Sequence, residues 1–236
     1  MKARLRLQIT TQPDDTTCGP TCLHAIYRYY GDDISLKQVL REVPSLKQGG
    51  TLGVMLANHA LARGYRASIY TYNLMIFDPT WFIPGVDLPA RLAARKRATR
   101  SRKQRLAIDQ YLEFTRRGGQ IHLQDLRRGL LRQFLKRGIP ILTGLNSTYL
   151  YRTMRVYGDD MVDDDIRGEV VGHFVVLCGY SQAQHTVTVA DPYSDNPYSR
   201  THYYEAELDR VVCSVLLGVM TYDANFLIIE TKEDLA

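Results

Sequence analysis

The strongest constraint on the fold is a pair of apolar runs, VVGHFVVLCGY (170–180) and HTVTVADP (185–192), separated by the polar turn SQAQ. Both are rich in valine and short, and both end in turn residues, so they read as neighbouring antiparallel strands. IPILTGL (139–145) reads as a further buried strand and NFLIIE (225–230) as a closing one. RASIYTYN (66–73) and the alternating ARLRLQIT near the start add strand character. Helical spacing dominates elsewhere in the first half. CLHAIYRYY (22–30) carries Leu23, Ile26, Tyr27 and Tyr30 on one face. Ser35 and Gln38 stand in capping-box spacing before a helix over 35–43, and Gly64 stops another over 51–63. Residues 88–117 form a long polar helical stretch, 122–137 an amphipathic helix, and 208–220 a last one. Helices come first and antiparallel strands later. That order predicts an α+β fold and excludes a doubly wound parallel sheet.

The chain has 236 residues, of which 45% are hydrophobic, so its core needs no metal or disulfide staple. No repeat or low-complexity linker divides it, and a single domain over 1–236 is expected. No apolar run reaches the ~18–20 residues of a membrane span. The first residues lack the apolar stretch of a secretory signal, so the expected location is cytoplasmic, with the four cysteines as thiols. The net charge of +5 is local: eight Lys or Arg and no acid fall between Arg91 and Arg105. This is a basic arm on a nearly neutral body. It reads first as a solvated insertion and otherwise as a dock for an acidic protein partner, and nucleic acid is not expected because no aromatic residue interrupts the run to stack bases. Leu92 and Leu106 are its only large apolar residues, so the arm should project from the body or lie on its surface.

The sharpest chemical feature is QPDDTTCGP (12–20), which places Cys18 where a polar turn becomes a helix. Unpaired N–H groups and the helix dipole there favour a thiolate, the nucleophilic form. Gly19 next to it would let a substrate approach the backbone. A thiolate needs a base and the base an orienter. His173 opens the strand GHFVVL, and Asp191 ends the next strand, so adjacent antiparallel strands can bring the two together. Gln12, six residues before Cys18, can point an amide at a developing oxyanion. Tyr193 and Tyr198 follow Asp191 closely enough to border a cleft. Cys22, Cys178 and Cys213 read as core thiols, and their spacing does not suit zinc.

Together these residues resemble the peptidase C39-like family of papain-like cysteine proteases. The resemblance rests on Gln12, Cys18-Gly19-Pro20, Cys22-Leu23, Gly172-His173-Phe174-Val175-Val176 and Ala190-Asp191-Pro192. It implies a papain-like fold, a helical half packed on an antiparallel sheet, with insertions at about 78–118 and 147–168. It implies Cys18 as nucleophile, His173 as base and then acid, Asp191 as orienter and Gln12 as oxyanion donor, with no cofactor or metal. The substrate would be a peptide or amide cleaved through a thioester. Transporter-linked members of the family cut leader peptides after a double glycine, but no transmembrane or nucleotide-binding region is read here. An acyl transferase on the same triad, and a non-catalytic binding module using the basic arm, are the alternatives.

Overall fold

A computed structural model describes residues 2–47, 49–158, 160–221 and 223–231. The chain runs through β1 (Lys2–Arg4), α1 (Cys18–Tyr29), α2 (Leu36–Glu42), α3 (Gly53–Ala62), β2 (Arg66–Thr71), α4 (Leu88–Ala98), α5 (Arg102–Arg116) and β3 (Gln120–His122). It continues through α6 (Arg128–Lys136), β4 (Ile141–Asn146), α7 (Ser147–Tyr151), β5 (Val156–Tyr157), β6 (Val162–Asp163), β7 (Gly172–Ser181), β8 (Thr186–Ala190), β9 (Tyr203–Glu207), α8 (Leu208–Leu217) and β10 (Asn225–Glu230). The main sheet has the order β3-β2-β10-β4-β7-β8-β9. All its neighbours are antiparallel except β2 and β3. β7 is the longest strand. Along one edge β4 pairs residues 172–177 and β1 takes over at 179–181. This is the expected α+β class with a mostly antiparallel sheet.

Helices cover both faces of that sheet. The period-two alternation of β7 sends Phe174, Val176 and Cys178 into a core with α1, α3 and α5, and Val175 and Leu177 into a core with α6 and α8. β10 does the same, with Leu227 and Ile229 on one side and Phe226 and Ile228 on the other. Burial on both faces is why the central strands read as continuous apolar runs rather than alternating ones. The second layer is formed by α6 and α8, which fall within the helices read over 122–137 and 208–220.

Two local expectations need correction. The helix expected over 122–137 begins only at Arg128, because residues 120–122 pair with β2 and the His122 ring stacks on Tyr70 at 4.8 Å. The stretch over 88–117 is two helices, α5 starting anew at Ser101, whose side chain accepts from the Gln104 N–H. α4 and α5 lie on the surface of the body, one of the two placements expected for the basic arm. α4 buries Leu92, and the apolar stripe of α5 lies beyond the basic run, in Ile108, Tyr111 and Phe114, which join the core under α3. Arg91, Arg97, Arg100 and Arg102 face solvent, while Lys96 pairs with Asp109 at 2.5 Å.

Gly19 also has a different role from the one read in the sequence. It is buried, and a Cβ there would meet Thr51 Cγ2 at 2.7 Å, with Leu56 and Phe174 at 3.2 Å. The glycine lets the first turn of α1 seat against α3 and β7 rather than opening a path for substrate. Gly19→Ala is therefore expected to cost about 1–3 kcal/mol by overpacking. It should also lower Cys18 reactivity toward iodoacetamide, because the turn that carries Cys18 must shift. Chemical denaturation and alkylation rates check both effects.

Candidate active site

Cys18 is the first residue of α1 and only 8% exposed. The preceding Thr17 makes no side-chain cap on the helix; its hydroxyl is engaged with the backbone of Asp14. The first turn carries no acidic residue. One turn on, the buried Cys22 thiol donates to the Phe174 carbonyl at 3.3 Å, which fastens α1 across the start of β7. That contact brings the N-terminal end of α1 beside His173, the residue before Phe174.

His173 is paired in register with Leu145 of β4. Its Nε2 lies 2.8 Å from Asp191 Oδ1. Asp191 follows the end of β8, and the chain then turns back so that the Tyr193 N–H donates to the same Oδ1 at 2.9 Å. The other carboxylate oxygen accepts from two phenols, Tyr151 at 2.6 Å and Tyr204 at 2.8 Å. Asp191 is fully buried, yet these four donors satisfy it. Burial opposes its charge, but the His173 imidazolium and these hydrogen bonds outweigh it and hold the carboxyl below its ordinary range.

With Nε2 on Asp191, the second ring nitrogen of His173, Nδ1, is left for another partner. Cys18 lies near enough to the ring to help raise its basicity. Burial alone would lower the basicity of His173. The Asp191 charge and hydrogen bond, with the contribution of Cys18, reverse this and push it up to about 10. The ring is also boxed by aromatics, with Tyr151 and Tyr193 centroids each 6.3 Å away.

Gln12 joins the two halves of this arrangement. Its N–H donates to the Pro192 carbonyl at 3.0 Å, linking the turn before Cys18 to the turn after Asp191. Its side-chain Nε2 donates to the Asp14 carbonyl at 2.9 Å, and Oε1 is buried with no hydrogen-bond partner among the described residues. Gln12, His173, Tyr151 and Tyr193 line one cleft of ≈ 340 Å³, bordered on its far lip by the β5–β6 hairpin. Among the described residues, no group of three or more metal-ligating side chains gathers anywhere in the chain.

The structure thus pairs His173 with Asp191, sets Cys18 near them at the start of α1, and puts Gln12 and His173 on the wall of one cleft that Cys18 and Asp191 themselves do not line. Tyr193 borders the cleft, as its position after Asp191 suggested. Tyr198 does not line it; its hydroxyl donates to the Leu150 carbonyl at 2.5 Å. Tyr151 and Tyr204, which hold Asp191, escaped the sequence reading. One lies in a stretch read as an irregular excursion and the other is one of several tyrosines in a strand, so neither carried a local signal. Cys213 is exposed on α8 and is not a core thiol, whereas Cys22 and Cys178 are buried.

Residues 109–210 match the profile of the Peptidase_C39 like family. The chain is similar to the peptidase C39-like family. The matched segment holds His173, Asp191, Tyr151 and Tyr204 but ends short of Cys18 and Gln12 on its N-terminal side. No curated protein matches the chain in sequence. Among solved structures, a C39-like peptidase from Bacillus anthracis aligns at 14% identity over 98% of each chain, with a TM-score of 0.49. The peptidase domain of Streptococcus ComA, a bi-functional ABC transporter, aligns at 12% identity over 96% of this chain and 100% of its own, with a TM-score of 0.46. Xylellain, a cysteine protease from Xylella fastidiosa, aligns at 13% identity over 98% of this chain and 85% of its own, with a TM-score of 0.45. No helix among the described residues is long and apolar enough to cross a membrane.

Proposed function

We propose that the protein is a papain-like cysteine hydrolase, a peptidase or amidase, that works through Cys18, His173 and Asp191. The observation that supports this most is the 2.8 Å contact of His173 Nε2 with the buried Asp191 carboxylate, with Cys18 at the start of α1 near enough to act on the same ring. Asp191 favours the proton on the imidazole, which leaves sulfur free to attack. Cys18 Sγ bonds to the substrate carbonyl carbon, and the oxyanion that forms is met by the Cys18 backbone N–H and by Gln12. One Nε2 hydrogen of Gln12 serves the Asp14 carbonyl, so the second is the one this reading assigns to the oxyanion. As the carbon–nitrogen bond breaks, His173 gives its proton to the leaving amine, and a thioester remains on Cys18. A water molecule then attacks the thioester carbon and loses a proton to His173. The carboxylic acid departs and Cys18 is restored with the proton shared again with His173.

The test is site-resolved alkylation. At neutral pH and limiting iodoacetamide, Cys18 is expected to react before Cys213, although Cys213 is exposed and Cys18 is nearly buried. Cys22 and Cys178 should stay unmodified, since burial pushes the Cys178 thiol up to about 12 and Cys22 well above the ordinary thiol range. Mass mapping that finds Cys213 modified first would contradict the proposal.

A further inference from the structure

The wall of the cleft beside His173 carries three exposed carboxylates, Asp15, Asp163 and Asp195. They come from three separate segments: the turn before α1, the β5–β6 hairpin, and the loop after β8. Among the described residues, none of the three forms an ion pair and no Lys or Arg lines the cleft. Asp195 and Asp15 both lie near enough to Tyr193 to act on it electrostatically: after burial, their charges are the next largest influences raising its phenol. Tyr193 faces Tyr151 at 6.5 Å, so an aromatic surface stands beside the acidic one. The same cleft is bordered by Met154 and Met161, both about half exposed.

We propose that this cleft selects peptides carrying an arginine or lysine close to the bond that is cut. The inference rests on Cys18 and His173 marking the reacting point; the carboxylates then set the charge of what binds beside them. A long basic side chain has an apolar stem and a charged head. The stem matches the thioether surface of Met154 and Met161, and the head matches Asp15, Asp163 and Asp195. The aromatic faces of Tyr193 and Tyr151 add attraction for a cation. An acidic side chain meets the same three carboxylates without a compensating cation, so like-charge repulsion rejects it.

The experiment uses three peptidyl chloromethyl ketones of one length, carrying Arg, norleucine or Glu at the two residues before the ketone. In each, Cys18 sulfur displaces chloride and forms a carbon–sulfur bond, so the labelling rate reads recognition with the leaving group held constant. The expected order at low salt is Arg, then norleucine, then Glu, with Arg about tenfold or more above Glu. The ratio should shrink at high ionic strength, where exposed charges are screened. Asp15→Asn combined with Asp195→Asn should bring the ratio toward one. Equal rates for the three probes, or a preference for Glu, with Cys18 still alkylated by iodoacetamide, would overturn the basic preference and leave the nucleophile in place. No modification of Cys18 by any reagent would overturn the hydrolase reading, and the basic preference with it.

Discussion

Cys18→Ala is expected to lower turnover by at least ~10³-fold while the protein stays folded. Loss of the nucleophile leaves only binding and oxyanion stabilisation, which preserve a small residue of rate. The structural cost should be slight. Alanine is the best helix former, Cys18 opens α1 rather than sitting in the middle of the core, and only one heavy atom is removed. Thermal unfolding should therefore shift by no more than a few degrees. Turnover near the wild-type rate in a folded Cys18→Ala protein would show that another group attacks the substrate. Unfolding of the variant would show that Cys18 packs more than the structure indicates.

His173→Ala should lose about as much activity as Cys18→Ala, since the two act as one unit. Asp191→Asn should lose less, on the order of 10–10²-fold. Asparagine keeps an acceptor for His173 Nε2 and the Tyr193 N–H, and its amide nitrogen can face the two phenol oxygens now on Oδ2. What disappears is the charge that holds a proton on His173. The His173 imidazole should then titrate well below its present value of about 10, which NMR of labelled histidine reads directly. A stability signature accompanies this change. The folded His173 binds its proton more tightly than the unfolded residue, whose value is about 6.5. Its contribution is complete below pH ~6.5 and lost as pH rises through about 10. The stability gap between wild type and Asp191→Asn should accordingly be wide at pH 6 and narrow at pH 10. A gap that widens with pH would mean that Asp191 does not stabilise an imidazolium. A larger activity loss in Asp191→Asn than in His173→Ala would give Asp191 a role beyond orientation.

Much of this arrangement was legible from residue order. Cys18 sits at a turn-to-helix junction, and that junction is marked by Thr16, Thr17 and Pro20. His173 and Asp191 sit at strand ends marked by glycine on one side and Asp-Pro on the other. Local chemistry encodes such boundaries, so they can be read one segment at a time. The contacts that complete the site are long-range. Tyr151 reaches Asp191 across 40 residues, and nothing in STYLYRTM distinguishes it from Tyr149. The same limit hid which helices cover which face: a strand buried on both faces shows apolar residues throughout, and the pattern does not say what covers each one. Leu126 mimics helical spacing with Leu130 and Leu131, yet the chain over 120–122 is claimed by the free edge of β2. α5 was judged on its basic first turns, while the residues that bury it, Ile108, Tyr111 and Phe114, come later.

The central claim is that acyl transfer passes through the Cys18 sulfur. It is tested most directly by quenching turnover of an activated ester in acid and mapping the acylated peptide by mass spectrometry. The account predicts one acyl group on the peptide containing Cys18, released by hydroxylamine and absent in Cys18→Ala. An acyl group on another residue, or continued turnover by Cys18→Ala with no acyl-enzyme at that peptide, would contradict it.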